Sequence, residues 1–207
     1  MLRYAARAPE RGPLAAGTGL VGLLLWLVAY DGHLWRVLVL ASAASVAAGA
    51  WAMDEPSARV VDAVPRSLRW RSGGRLVRTL PLLLEWLVFA SAVSGRPAAT
   101  PGSGRAWPLV ALGAGSLLVG ATSATCLRRR GWAAPGQQVG VVAGLVLAST
   151  GLFPKHLPGH PALFPLHADA DWAWSLRFWS GVVTTSLVVL VVVTSERLPR
   201  HRRTRTT

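Results

Sequence analysis

Apolar residues in this chain gather into six runs, and the short segments between them hold nearly all of its charge. The runs cover about 13–30, 34–53, 79–95, 106–127, 137–153 and 172–194. Runs of about 17–25 apolar residues can cross a roughly 30 Å hydrocarbon core as helices. The pattern predicts an all-α integral membrane protein: one domain, 1–207, built as a six-transmembrane-helix bundle.

The breaks carry their own signals. Asp31-Gly32-His33 reads as a tight turn between the first two spans. Trp35 and Trp51 near the ends of the second suit the aromatic belt at a membrane surface. A polar segment, 54–78, separates the second span from the third. A Pro/Gly/Ser connector, Arg96–Arg105, leads to the fourth, which Arg128-Arg129-Arg130 stops. A longer loop, Pro154–Asp171, precedes the sixth, and a basic tail, 195–207, follows it. The N-terminal arginines followed by an apolar run are also the layout of a secretory leader. No A-x-A site follows that run and a second span comes almost at once, so the first run is read as a retained helix.

Composition agrees with this class. Hydrophobic residues make up 52% of the chain and charged residues 15%, against roughly 25% charged in soluble domains. The net charge of +13 would suit nucleic acid, but the arginines flank apolar runs, so no nucleic-acid partner is expected. The single cysteine, Cys126, excludes an intramolecular disulfide and is read as packing near a span's end. Seventeen Lys and Arg fall on the side holding both tails, the second–third loop and the fourth–fifth loop, and five on the other. Cytoplasmic segments hold the excess of basic residues, so both termini are expected in the cytoplasm.

Small residues let helices approach closely in lipid, where no hydrophobic force draws them together. Gly140 and Gly144 form a G-x-x-x-G, and Gly113, Gly115 and Gly120 lie in the fourth span. By contrast Leu187–Val193 is almost all Val and Leu, and is expected to face lipid or a partner subunit.

Three places could carry chemistry. In the 54–78 loop, Asp54 or Glu55 can cap a short helix with Pro56 in its first turn. Val60, Val61 and Val64 then share a face, and Arg66–Arg71 adds a basic amphipathic piece. Such a segment either docks a cytoplasmic partner, through Asp54, Glu55, Asp62, Arg66, Arg69 and Arg71, or lies on anionic lipid. Glu85 is the one acid inside a span, seven residues past Arg78 and so about 10 Å deep. Acids inside membranes are costly and mark function by default; the alternative is a shallow glutamate, protonated or paired with Arg78. The outer loop holds His156, His160, His167, Asp169 and Asp171, residue types that bind zinc or copper, but in no standard metal spacing. No metal or cofactor site is therefore assigned. A phosphate-binding loop needs G-x-x-x-x-G-K-[ST], and the one lysine is Lys155 in Phe153-Pro154-Lys155. Any ATPase must be a separate chain, and the chain itself is not read as an enzyme.

Six spans, a helix-bearing loop after the second and a long outer loop after the fifth together resemble the membrane subunit of ABC-type export permeases. The run from Met53 to Ser67, with Asp54-Glu55-Pro56 and Val60-Val61-Asp62-Ala63-Val64-Pro65, is similar to one in small actinobacterial ABC-transporter membrane components. The resemblance implies a bacterial plasma-membrane permease that pairs with a second permease subunit and is driven by a separate ABC ATPase docking on 54–78. An amphipathic or hydrophobic substrate is implied with it. The rival reading is a non-transporting membrane scaffold, and a third is a metal handler using the outer His/Asp loop.

Overall fold

The computed structural model describes residues 12–31, 37–54, 73–95, 106–132, 134–152 and 172–195. They form six helices: α1 (Gly12–Tyr30), α2 (Val37–Met53), α3 (Leu80–Ser94), α4 (Ala106–Arg129), α5 (Pro135–Leu152) and α6 (Trp172–Ser195). No strand occurs among the described residues. Counting the turns that lead into α3, three helices are long and apolar enough to cross a membrane: Gly73–Ser94, Ala106–Arg129 and Trp172–Ser195. Leu14–Tyr30 and Val37–Met53 are shorter apolar helices, near the lower limit for a crossing. In α5 the polar opening Pro135–Gln138 dilutes an otherwise apolar helix.

The third run begins earlier than its charges suggest. Helix is already formed at Gly73, the first described residue inside the segment read as loop, and it carries Arg75 and Arg78 with it. Basic residues need not end a helix, because their long apolar stems let the charge reach toward the membrane surface. The helix tightens into a 3₁₀ turn at Val77–Thr79 just before Pro81. Proline has no N–H to offer the carbonyl four residues back, and the Leu80 N–H bonds Val77 O instead.

Two helices form the hub. α2 packs on α1, α4 and α5, while α4 packs on α2, α3, α5 and α6. Among the longer elements, α6 touches α4 chiefly, which leaves Leu187, Val188, Val191 and Val192 exposed, as its Val/Leu-rich sequence suggests. Paired contacts give the helix directions. Gly49 and Met53 of α2 meet Leu117 and Arg128 of α4, so these two run parallel. Gly115 meets Trp179, and Thr122 bonds Ser186 O at 3.3 Å, so α6 runs with them. α5 runs against α2, with Gly136 at Ala50 and Gly140 at Ala47. α3 opposes α4, with Trp86 at Gly113 while Leu76 and Leu80 line one hollow with Leu117 and Leu118. Gly17 near the start of α1 meets Ala48 near the end of α2, so α1 opposes α2. Direction therefore alternates along the chain, and the start of α1 and the end of α6 lie at the same end of the bundle.

The hub helices touch backbone to backbone. α2 presents Ala41, Ser42, Ser45, Ala48, Gly49 and Ala52, all buried. A Cβ at Gly49 would collide with the Leu117 main chain, and one at Gly120 with Val46 O and the Ala50 nitrogen. On this face the buried serines bond within their own helices, Ser42 to Leu38 O at 2.9 Å and Ser116 to Leu112 O at 2.8 Å, so the close contact needs no water there. Of the G-x-x-x-G pair in α5, Gly140 packs against Ala47, whereas Gly144 meets nothing within 4 Å. Trp51 is half-buried, and its ring nitrogen lies 3.5 Å from where a Gly140 Cβ would stand.

Gly120→Val forces the α2 and α4 backbones apart, and overpacking of this kind costs roughly 1–3 kcal/mol or more. Thermal unfolding of the purified protein in detergent should show a clearly lowered midpoint. Gly19→Ala, where nothing lies within 4 Å, should leave the midpoint unchanged or raise it slightly.

Candidate functional site

One candidate lies at the end of the bundle that holds Arg75, Arg78 and Arg128–Arg130. α2 ends at Met53, and Asp54 follows. Asp54 Oδ2 accepts a hydrogen bond from the Gln137 N–H at 3.2 Å, capping the exposed donors in the first turn of α5. A carboxylate there also meets the positive end of the helix dipole. Gly136 makes room for it, since a Cβ at that position would strike Ala50 O and Asp54 Oδ2. From the other side Arg128 Nη1 donates to Met53 O, one of the carbonyls that a helix end leaves without an internal partner.

α4 stops just beyond this arginine. Gly131 has φ +89°, its N–H bonds Arg128 O at 3.0 Å, and the Trp132 N–H bonds Leu127 O at 3.3 Å. These two reversed bonds close the helix in the manner that a left-handed glycine permits. The C-terminal ends of α2 and α4 and the N-terminal end of α5 are thus tied together where the chain leaves α2. Of the residues that the sequence offers for partner docking, Asp54 belongs to this tie. Glu55, Asp62, Arg66, Arg69 and Arg71 lie outside the described residues, as do the histidines and aspartates of 154–171.

The second candidate is Glu85, one-and-a-half helical turns past the 3₁₀ segment in α3. It lies about 18 Å along the helix from Gly73 at 1.5 Å per residue, near the middle of the apolar helix Gly73–Ser94. Its carboxyl rests against α1: a methyl group added at Gly22 would stand 3.3 Å from Oε1. Oε2 is buried and has no hydrogen-bond partner, so the pairing with Arg78 that the spacing allows does not occupy that oxygen. A charged side chain at the centre of a membrane helix costs roughly 2.5–3.5 kcal/mol on insertion scales.

Next to it, Trp86 turns the other way, into the core. Its ring covers Gly113 of α4, and its Nε1 donates to Ser45 Oγ on α2 at 3.0 Å. Ser45 in turn donates to Ala41 O at 2.8 Å. Sequence reasoning missed this bond. Its signal was Trp86 beside Glu85 in an otherwise apolar run, facing a helix whose serines recur three apart at 42 and 45.

Apolar helices of membrane-crossing length, a core of small residues and buried intrahelical hydroxyl bonds together define a helical membrane protein. Comparison with known families, curated proteins and solved structures finds no match for this chain.

Ser45→Ala removes the acceptor from Trp86 and orphans a buried N–H. Interhelical hydrogen bonds in membranes contribute about 0.6–2 kcal/mol, so unfolding in a denaturing-detergent titration should shift by that amount. Ser42→Ala, which loses a bond only within α2, should shift it less.

Proposed function

We propose that this chain is a permease subunit of an ATP-driven transporter of the ABC type, in a bacterial plasma membrane. In this reading all six helices cross the bilayer and both termini face the cytoplasm. A separate ATPase docks on 54–78, and two permease subunits, alike or sister chains, form the pathway for an amphipathic or hydrophobic substrate.

The observation that carries the reading is the tie at the root of the 54–78 segment. A segment that receives force from an ATPase must be joined to the helices it moves. Asp54 holds the first turn of α5, and Arg128 on α4 holds the Met53 carbonyl just before it. At the far end of the segment, Gly73 runs without interruption into α3. A push on 55–72 therefore reaches α2, α4 and α5 at one end and α3 at the other. The basic residues at this end of the bundle support its cytoplasmic placement. The absence of a phosphate-binding loop in the sequence supports a separate ATPase.

The test is affinity purification of the full chain from its native membranes in mild detergent. An ATPase carrying a phosphate-binding loop should co-purify, and Asp62→Ala with Arg69→Ala should release it. Asp54→Ala should keep the ATPase bound but weaken the stimulation of its hydrolysis by substrate. Recovery of no ATPase, with partner binding unmoved by the double variant, overturns the reading. Recovery of a large complex without any ATPase would favour the scaffold.

A further inference from the structure

We propose that Glu85 is the anionic centre of a binding site for a lipophilic cation, entered from the bilayer along the seam between α1 and α3. The seam brings an acid and a notch together. Glu85 Oε2 is buried without a partner, and the carboxyl packs into the space that Gly22 leaves, where an added Cβ would stand 3.3 Å from Oε1.

The counter-charge is not supplied by the helices around it. α1 and α2 contain no basic residue, α4 has none before Arg128, and α3 has none after Arg78. Among the described residues no basic group lies on these helices level with the carboxyl, and a cationic ligand would supply that charge. An unpaired carboxylate in a membrane is costly, and a cation beside it recovers much of that cost because the low dielectric strengthens their attraction.

The surroundings select an apolar body for that cation. On α3 the residues flanking Glu85 toward the outside, Leu84 and Val88, are exposed, and on α1 so are Leu23 and Trp26. Trp26 lies one helical turn past Gly22, on the same side of α1. It is 59% exposed and stacks on Tyr30 with ring centroids 5.5 Å apart. An open aromatic pair one turn from a carboxylate offers a cation both a charge partner and a π face. A hydrophilic solute would have to leave water to reach it, whereas an amphiphilic amine or phosphonium dissolved in the bilayer is already there.

The site gives the proposed transport reading its substrate class, and rests on that reading only for its purpose. Binding itself needs no ATPase. The experiment uses the purified full-length chain in nanodiscs of zwitterionic lipid, with tetraphenylphosphonium as probe and equilibrium dialysis as readout. The expected result is saturable binding that weakens at least tenfold in Glu85→Gln and severalfold in Trp26→Ala. Non-saturable uptake by the unaltered chain overturns the proposal, as does equal binding by Glu85→Gln. If Glu85→Gln does not yield a monodisperse protein, Trp26→Ala decides alone, because its side chain lies on the outer surface; unchanged binding there overturns the site. Failure to recover an ATPase leaves this measurement unaffected, so the two readings fall separately.

Discussion

The contact between α2 and α4 at Gly49 and Gly120 is the constraint on which the other helices depend. In lipid, water does not drive apolar helices together, and association comes from close packing and from hydrogen bonds between helices. Here the approach is close enough that a single Cβ at either glycine would meet main-chain atoms. With the two hub helices fixed against each other, α4 also receives the Trp86 ring over Gly113 and the Trp179 ring over Gly115. Large rings from α3 and α6 thus enter hollows that small residues leave. α5 repeats the device against α2, with Gly136 at Ala50 and Gly140 at Ala47.

That geometry also sorts the polar groups. Ser42, Ser45, Ser116 and Thr125 turn back to carbonyls of their own helices, Thr122 reaches Ser186 O on α6, and Ser45 additionally accepts from Trp86. At the basic end, close approach of α2 and α5 at Gly136 sets Asp54 over the Gln137 N–H. Arg128, carried on the parallel α4, reaches the adjacent Met53 carbonyl. Glu85 stands apart from these arrangements. It lies at the seam of the two helices that pack on the hub from one side, and its buried oxygen has no partner. Other buried polar atoms, such as Ser175 Oγ and Trp51 Nε1, also lack a hydrogen-bond partner, but Glu85 is the one that can carry a charge within an apolar helix, which is why the acid reads as a site.

Much of the helical layout was legible in the sequence, because a membrane helix must be apolar over most of its length. Among the described residues the six runs match their helices to within about three residues. The third extends further back than its run: charge was taken as the boundary, but helical turns carrying Arg75 and Arg78 lead into α3. Packing was legible only as a tendency. Gly113, Gly115 and Gly120 do meet neighbours, while Gly144, half of the most recognisable motif, meets none. Gly49 and Gly136 carried no local signal at all, since their role depends on which helix lies opposite. Arg128 read as a stop for the fourth span, and its grip on Met53 O depends on α2 and α4 running parallel. Glu85 was legible as an exception in an apolar run, but its contact with Gly22 required the fold.

In the proposed reading the chain crosses the membrane six times, alternating about the α2–α4 hub, with the tie at Asp54 on the cytoplasmic side. Single-cysteine mapping tests it most directly. In a Cys126→Ser background, one cysteine at a time is placed in 55–72, 96–105, 154–171 and each tail, and intact cells are treated with a membrane-impermeant maleimide. The account predicts labelling in 96–105 and 154–171, and protection of 55–72 and both tails until the cells are opened. Labelling of 55–72 in intact cells, or tails on opposite sides of the membrane, would contradict it.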